Sequence, residues 1–473
     1  MSVLKKMTVS LGLTTVLFIA CIGPWPVDNS GFEHAAYFER DLDALARQAA
    51  LNQFTNAPAH LLAGWAVRSI RPKPGLPMAG YGARQNIREY LFGSQATGLS
   101  VGVHDDLHVK ALALSDGRDT AVIVGSDLLL VPPNVAEAVR REVARQTPLR
   151  ANSILFGASH THNGPGGWGQ GLAAFFTAGT YHPGVPDLLA DAFTQAIVSA
   201  YRNLGPARLA HGNIDASAFI RNRRHDAPID ARLGYLVAEK ENGQRCVLVR
   251  FSAHPTNVGP RFLQMTAEYP GYLQAAVEVA LPNTTALYLG GSLGSSGPRA
   301  PEGHSDIERA QAMGEALAEQ FANAFKTAAP AWQTHVDIAA VGIPLELPTF
   351  QMRVSQNLRV SPLVPKGLGL PHEGWLQAVR VGDLILVGLP GDFSGEISAK
   401  WAAWGTANGI DLWPTSFCGA YLGYISPDHY FNEPGSIGKD ETGFMSWLGP
   451  HQEAFFTALM QHAVAALRPQ SDL

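Results

Sequence analysis

From about residue 66 onward the chain sets short apolar runs against amphipathic stretches of helical length, with Pro and Gly clusters between them. Residues 121–131 read Ala-Val-Ile-Val-Gly-Ser-Asp-Leu-Leu-Leu-Val, a run suited to a strand buried on both faces, with a polar exit at Ser126-Asp127. Pro132-Pro133-Asn134 then opens a predicted helix through Gln146, with Asn134 as its N-cap, and residues 153–156 form the next predicted strand. Helices are also predicted over 186–203 and from Ser305 to Thr327, the second starting on the capping-box spacing of Ser305 and Glu308. Strands are predicted at 245–254, 284–290, 335–347 and 376–389, the last folded back at Val381-Gly382-Asp383. Strands interleaved with helices place the chain in the α/β class, as one large catalytic domain with mixed β-sheets flanked by helices. A Pro-rich joint at 362–371 is expected to divide it into two lobes.

The first residues have a different texture. Lys5-Lys6 precede an apolar run over 7–22 that ends near Pro24 and Pro26, the parts of a secretory signal. That run falls short of the ~20 apolar residues of a comfortable membrane span. Phe18-Ile19-Ala20-Cys21 resembles a lipobox, so residues 1–26 read either as a cleaved signal peptide or as a lipoprotein or membrane anchor at Cys21. Both readings make the protein exported: periplasmic, secreted or membrane-anchored. Residues 27–65, including Phe38, Leu42, Leu45, Leu51 and Phe54, form a helical lead-in, and residues 66–470 form the catalytic domain.

Composition removes some function classes. In 473 residues, 46% are hydrophobic and 16% charged, and the net charge is -5, so no basic surface is offered to nucleic acid. Beyond Cys21 only Cys246 and Cys418 remain, too few for a disulfide framework, and Cys246 reads as a buried strand residue.

The densest chemistry lies where the strand at 153–156 ends, in Gly157-Ala158-Ser159-His160-Thr161-His162-Asn163-Gly164-Pro165-Gly166-Gly167. Imidazoles at i and i+2 of an extended chain share one face, and neutral imidazole is a common zinc ligand. The glycines let backbone approach a metal or substrate closely. Taken singly, His254 at the end of an apolar strand reads as a core histidine, Asp392 after Pro-Gly as a turn residue, Tyr424 as core, and Arg223 as a solvated or paired side chain.

Taken together and in order, these segments resemble the neutral ceramidases. Ser159 to Gly167 is similar to that family's Thr-His-Thr-His-Ser-Gly-Pro-Gly-Gly signature. Pro77-Met78-Ala79-Gly80-Tyr81-Gly82, Gly102 to Leu107, Arg221-Asn222-Arg223, Phe251 to Thr256, Pro390-Gly391-Asp392-Phe393 and Tyr421 to Ile425 resemble further family segments. The resemblance implies one zinc ion per chain held by His160, His254, Asp392 and Tyr424, with His162 facing the substrate carbonyl and Arg223 a second polar contact. It implies hydrolysis of the N-acyl amide of ceramide or a related lipid through a zinc-activated water, with a membrane surface as partner. Two histidines and a carboxylate leave zinc an open position for water, which agrees with that chemistry.

The departures are specific. Gly294-Ser295-Ser296-Gly297-Pro298 stands where the family has Gly-Asp-x-Ser-Pro, so Gly297 replaces its Ser. Asp392 replaces Glu and is shorter by one methylene. Asp440-Glu441-Thr442-Gly443 lacks the substrate-facing Tyr usual there, and the sequence leaves no room for the family's carboxy-terminal immunoglobulin-like domain. Two competing readings are a TIM-barrel amidohydrolase or other zinc hydrolase in which His160 and His162 both bind metal, and a membrane-attached binding protein that has lost the chemistry.

Overall fold

Side chains on a β-strand alternate between two faces, and here that alternation sorts the apolar residues into different cores. The computed structural model describes residues 14, 16–52, 59–93, 97–224, 227–370, 373–433, 435 and 445–468. Eight strands form the larger sheet: β1 (Leu62–Ser69), β2 (His108–Ser115), β3 (Thr120–Ser126), β4 (Ile154–Phe156), β5 (Gly205–Asp215), β6 (Arg232–Lys240), β7 (Arg245–Phe251) and β8 (Thr284–Gly290). Their order is β8-β7-β6-β5-β1-β2-β3-β4, antiparallel except for the two outer pairs, β8 with β7 and β3 with β4. A smaller sheet follows in the chain: β9 (Ile338–Leu345), β10 (Gly374–Val381), β11 (Leu384–Gly388) and β12 (Asp411–Thr415), with β11 and β12 parallel.

The two sheets pack face to face. Leu112, Ile123, Leu248 and Leu287 of the large sheet share a core with Val379 and Leu386 of the small one. The opposite face of the large sheet, carrying residues such as Val109 and Val124, is covered by helices α2 (Pro133–Gln146) and α3 (Gly184–Arg202). Toward its other edge it is covered by α4 (Glu268–Ala280) and α5 (Asp306–Thr327). The outer face of the small sheet is covered by α1 (Ala36–Ala49), α6 (Gly395–Ala407) and α7 (Gln452–Ala466). Helix α1 therefore lies in the packed core, and β1 begins at Leu62, across the expected boundary at residue 66. Phe54 lies outside the described residues.

The large sheet curls until its two ends meet. The Gly290 N–H donates to the Ala158 carbonyl at 3.0 Å. A Cβ on Gly125 would stand 2.5 Å from the Tyr288 carbonyl oxygen, so the crossing of β3 by β8 requires glycine. Buried between the sheets, Arg250 of β7 pairs with Asp230 at 2.7 Å and donates to the Pro414 carbonyl of β12 at 3.0 and 2.8 Å. Gln377 of β10 bonds the exposed edge of β4, accepting from the Phe156 N–H at 3.3 Å and donating to the Ile154 carbonyl.

The capping box at Ser305 and Glu308 forms as expected, and the strand at 284–290 and the turn at 381–384 are where the sequence puts them. Three expectations change. The run 121–131 leaves the sheet at Ser126, because the carbonyls and side chains of 126–129 serve the site described below. Asn134 does not cap α2; Pro132 holds the cap position, and Asn134 donates instead to the Trp168 carbonyl. The break between the two sheets lies between α5 and β9, while the Pro-rich stretch over 362–371 sits inside the second lobe, where Leu363–Gly367 is a short helix.

Candidate metal centre

The site lies off the carboxyl ends of β4 and β7, the position at which open α/β sheets place their ligands. His160 and His162 follow β4, and His254 follows β7. Their Nε2 atoms converge: His162 Nε2 is 3.2 Å from that of His160 and 2.9 Å from that of His254. All three ligand nitrogens fall within 4.8 Å of one another.

Two of the rings are oriented from behind. His160 Nδ1 lies 2.6 Å from the Leu129 carbonyl and His254 Nδ1 lies 3.3 Å from that of Leu293. A carbonyl only accepts, so in both rings Nδ1 carries the hydrogen and Nε2 presents its lone pair, as in metal-ligating histidines. His162 differs, since its Nδ1 is buried with no hydrogen-bond partner among the described residues. Burial suppresses protonation of all three, taking His160 down to about 3 and the others well below the usual histidine range, and the nearby charge of Arg223 acts in the same direction.

Three neutral imidazoles with converging lone pairs repel unless a cation or a proton lies between them. The three ring nitrogens lie close enough together for these histidines to hold a metal ion. Asp392 Oδ2 lies 4.0 Å from His254 Nδ1, and its carboxylate falls outside the cluster formed by the three histidine nitrogens. It begins a two-residue strand paired with Tyr424–Ile425, which places Tyr424 next to it, buried. The Arg223 N–H donates to the Ser295 carbonyl at 2.7 Å, and the Arg223 charge acts on all three histidines.

The local backbone is strained where the chemistry needs it. His160 has φ +65° and Phe417 φ +64°, and their rings stack on each other at 3.8 Å and 6°. His162 is held by the edge of Tyr81, with ring centroids 4.7 Å apart, and by Arg84, which donates to the His162 carbonyl at 2.6 Å. Gly80 closes the packing: a Cβ there would lie 2.6 Å from His162 Cα. Tyr81 and Gly80 sit in a segment that the sequence comparison had singled out; Phe417 gave no signal, because nothing in its surroundings distinguishes it from core.

Ser295 and Ser296 face the start of α6. Ser295 Oγ accepts from the Gly395 N–H at 3.1 Å and from Ser394 Oγ at 3.2 Å, at the amino terminus of α6. Ser296 Oγ lies on the same side, 2.9 Å from where a Cβ on Gly395 would stand.

From the histidines an aromatic file leads outward. Phe417 stacks on Tyr421 at 6.1 Å, and Tyr421 meets Trp447 edge to face at 6.3 Å. Tyr421 and Trp447 line an apolar cavity of about 460 Å³, together with Leu130, Trp168, Phe176 and Leu368.

Residues 87–285 match the family model of neutral/alkaline non-lysosomal ceramidases, N-terminal part. Over that stretch the chain is similar to the neutral ceramidases. It is 24% identical over 214 residues to neutral ceramidase A of Dictyostelium discoideum, covering 41% of this chain and 30% of that protein. It is 25% identical over 194 residues to neutral ceramidase of Mycobacterium tuberculosis, covering 37% of this chain and 30% of that one. The matched stretches thus span less than a third of these relatives. The crystal structure of neutral ceramidase from Pseudomonas aeruginosa superposes with a TM-score of 0.70 at 19% identity, over 87% of this chain and 75% of that one. That likeness extends the neutral ceramidase fold across both sheets. The segment 440–443, where the sequence departs from the family, lies outside the described residues.

Proposed function

We propose that the protein is a zinc-dependent hydrolase of the N-acyl amide bond of ceramide or a related lipid. The observation that carries this is the difference among the three histidines. His160 and His254 have their Nδ1 hydrogens tied to carbonyls and offer fixed lone pairs, which suits metal ligands. His162 has no such tie and is free to carry a hydrogen on either nitrogen, which suits proton transfer.

In this reading His160 and His254 would hold one zinc, with Asp392 and Tyr424 the further ligands that the family resemblance implies. Bound there, zinc supplies a Lewis acid that makes water nucleophilic near neutral pH. His162 takes up the water proton at Nε2 and returns it to the leaving amine. The Arg223 guanidinium stabilises the oxyanion that develops at the acyl carbonyl. The orientation of Ser295 and Ser296 toward α6 and the absence of a side chain at Gly297 support water, and not a serine, as the nucleophile. The apolar cavity reached through Phe417, Tyr421 and Trp447 suits a fatty acyl chain.

The test is elemental analysis of the purified chain and of His254→Ala, alongside hydrolysis of a fluorescent ceramide. About one zinc per chain, lost in the variant, with ceramide turnover is expected. Zinc without turnover would keep the metal site and discard the substrate. No zinc in the wild type would overturn the mechanism.

A further inference from the structure

The cavity that begins at Tyr421 and Trp447 opens between two exposed apolar segments. On one side Phe176 lines it, and the neighbouring Phe175 packs on Tyr90 at 5.2 Å. Tyr90 belongs to the helix Ile87–Phe92, whose Leu91 and Phe92 are 58% and 80% exposed. On the other side Met352 and Leu368 line the cavity, and exposed Val354 and Leu363 adjoin them in the chain. The sides are joined, since the Ala173 N–H donates to the Leu368 carbonyl at 3.0 Å.

The amino-terminal segment emerges at the same rim. Trp25–Pro26 pairs with Leu358–Arg359, and the Ser361 N–H donates to the Ile22 carbonyl at 2.9 Å. Residues 16–22 next to this anchor point expose Val16, Leu17, Phe18, Ile19 and Ile22.

Exposed charge within the rim segments is positive, and the exposed carboxylates of Asp28 and Glu433 border them. Residues 14–27, 163–183 and 347–372 contain no Asp or Glu. The fourth segment, 84–93, contains only Glu89, which is buried, while Arg88 and Lys366 are exposed. Exposed leucine and phenylalanine flanked by the exposed cations Arg88 and Lys366 complement a bilayer with anionic headgroups: apolar groups enter the acyl boundary and cations meet the phosphates.

We infer that this rim, formed by residues 87–92 and 352–368, is a docking face for an anionic lipid bilayer, which it sets against the mouth of the cavity. A lipid chain then passes from the bilayer to the cavity without crossing water. That purpose rests on the hydrolase reading above; the docking itself does not.

The experiment is co-sedimentation of the full chain with phosphatidylcholine vesicles containing phosphatidylglycerol. Three forms are compared: wild type, the triple variant Leu91→Asp/Phe92→Asp/Leu363→Asp, and Val279→Asp, a substitution at a residue 83% exposed on α4, outside the rim. The wild type is expected to bind, the triple variant to bind about tenfold more weakly or worse, and Val279→Asp to bind as wild type. Arg88→Glu/Lys366→Glu should weaken binding most at low salt. Equal binding by wild type and triple variant, or equal weakening by Val279→Asp, would overturn the inference. Turnover of a short-chain soluble N-acyl amide, measured without vesicles, reports separately on the hydrolase. Its absence would sink the activity reading and leave vesicle binding to decide the docking face.

Discussion

At the scale of single residues, the site depends on close approaches that tolerate no added atom. Gly80 has φ +108° and meets the backbone of His162, so alanine there introduces both strain and a clash. Gly80→Ala is expected to cost at least about 2 kcal/mol of stability and to lower activity about tenfold or more, because the displaced atom is the Cα of His162, proposed above to transfer the proton. Urea titration and turnover measured on the same preparation check this. His160 is similarly fixed by its stacking on Phe417. Phe417→Leu keeps the bulk but removes the flat face, and zinc affinity measured by competition with a chelator should fall about tenfold.

At the scale of elements, strand β5 is tied to the small sheet by His211 and by Asn213, which donates to Asp411 at 2.8 Å. His211 Nε2 lies 3.0 Å from Asp383 and Nδ1 lies 3.4 Å from Asp411. Burial works against its charge, but bonding to Asp411 and Asp383 outweighs burial and raises its pKa above the usual 6.5. A raised histidine pKa gives stability that is complete below the unfolded value of about 6.5 and is lost as pH rises through the higher folded value. His211 should therefore contribute stability that fades on going from mildly acid to alkaline pH, and the difference in melting temperature between wild type and His211→Gln, followed across that range, should shrink as pH rises. This clamp had no signature in the sequence, where His211, Asp383 and Asp411 lie far apart. The elements that were legible are those with a local cause: the capping box at Ser305, the Gly382 turn and the β-rich runs of β7 and β8. Helices α6 and α7 were not anticipated, because α7 is apolar on most sides and α6 carries glycines at both ends, so neither shows a clean amphipathic period. The site was legible as a set of residues in a known order, whereas the direction of each ring was not, since carbonyls of Leu129 and Leu293 decide it and a carbonyl has no sequence identity.

At the scale of the whole molecule, two sheets are held as one body by buried charge as well as by apolar packing. Arg250→Met would remove the guanidinium shared by Asp230 and the Pro414 carbonyl and leave Asp230 with Arg232. We expect a loss of about 3 kcal/mol, seen as a lower urea midpoint with a single transition. The curl of the large sheet bears on how such a molecule comes into being. The contact between Ala158 and Gly290 joins distant parts of the chain, and His254 takes its orientation from Leu293, beyond that closure. A growing chain therefore displays His160 and His162 well before their third partner has been made and turned to meet them. A metal held by these three histidines would be loaded at the end of folding, after the sheet has closed, and protein caught before closure would present an open strand edge to its neighbours.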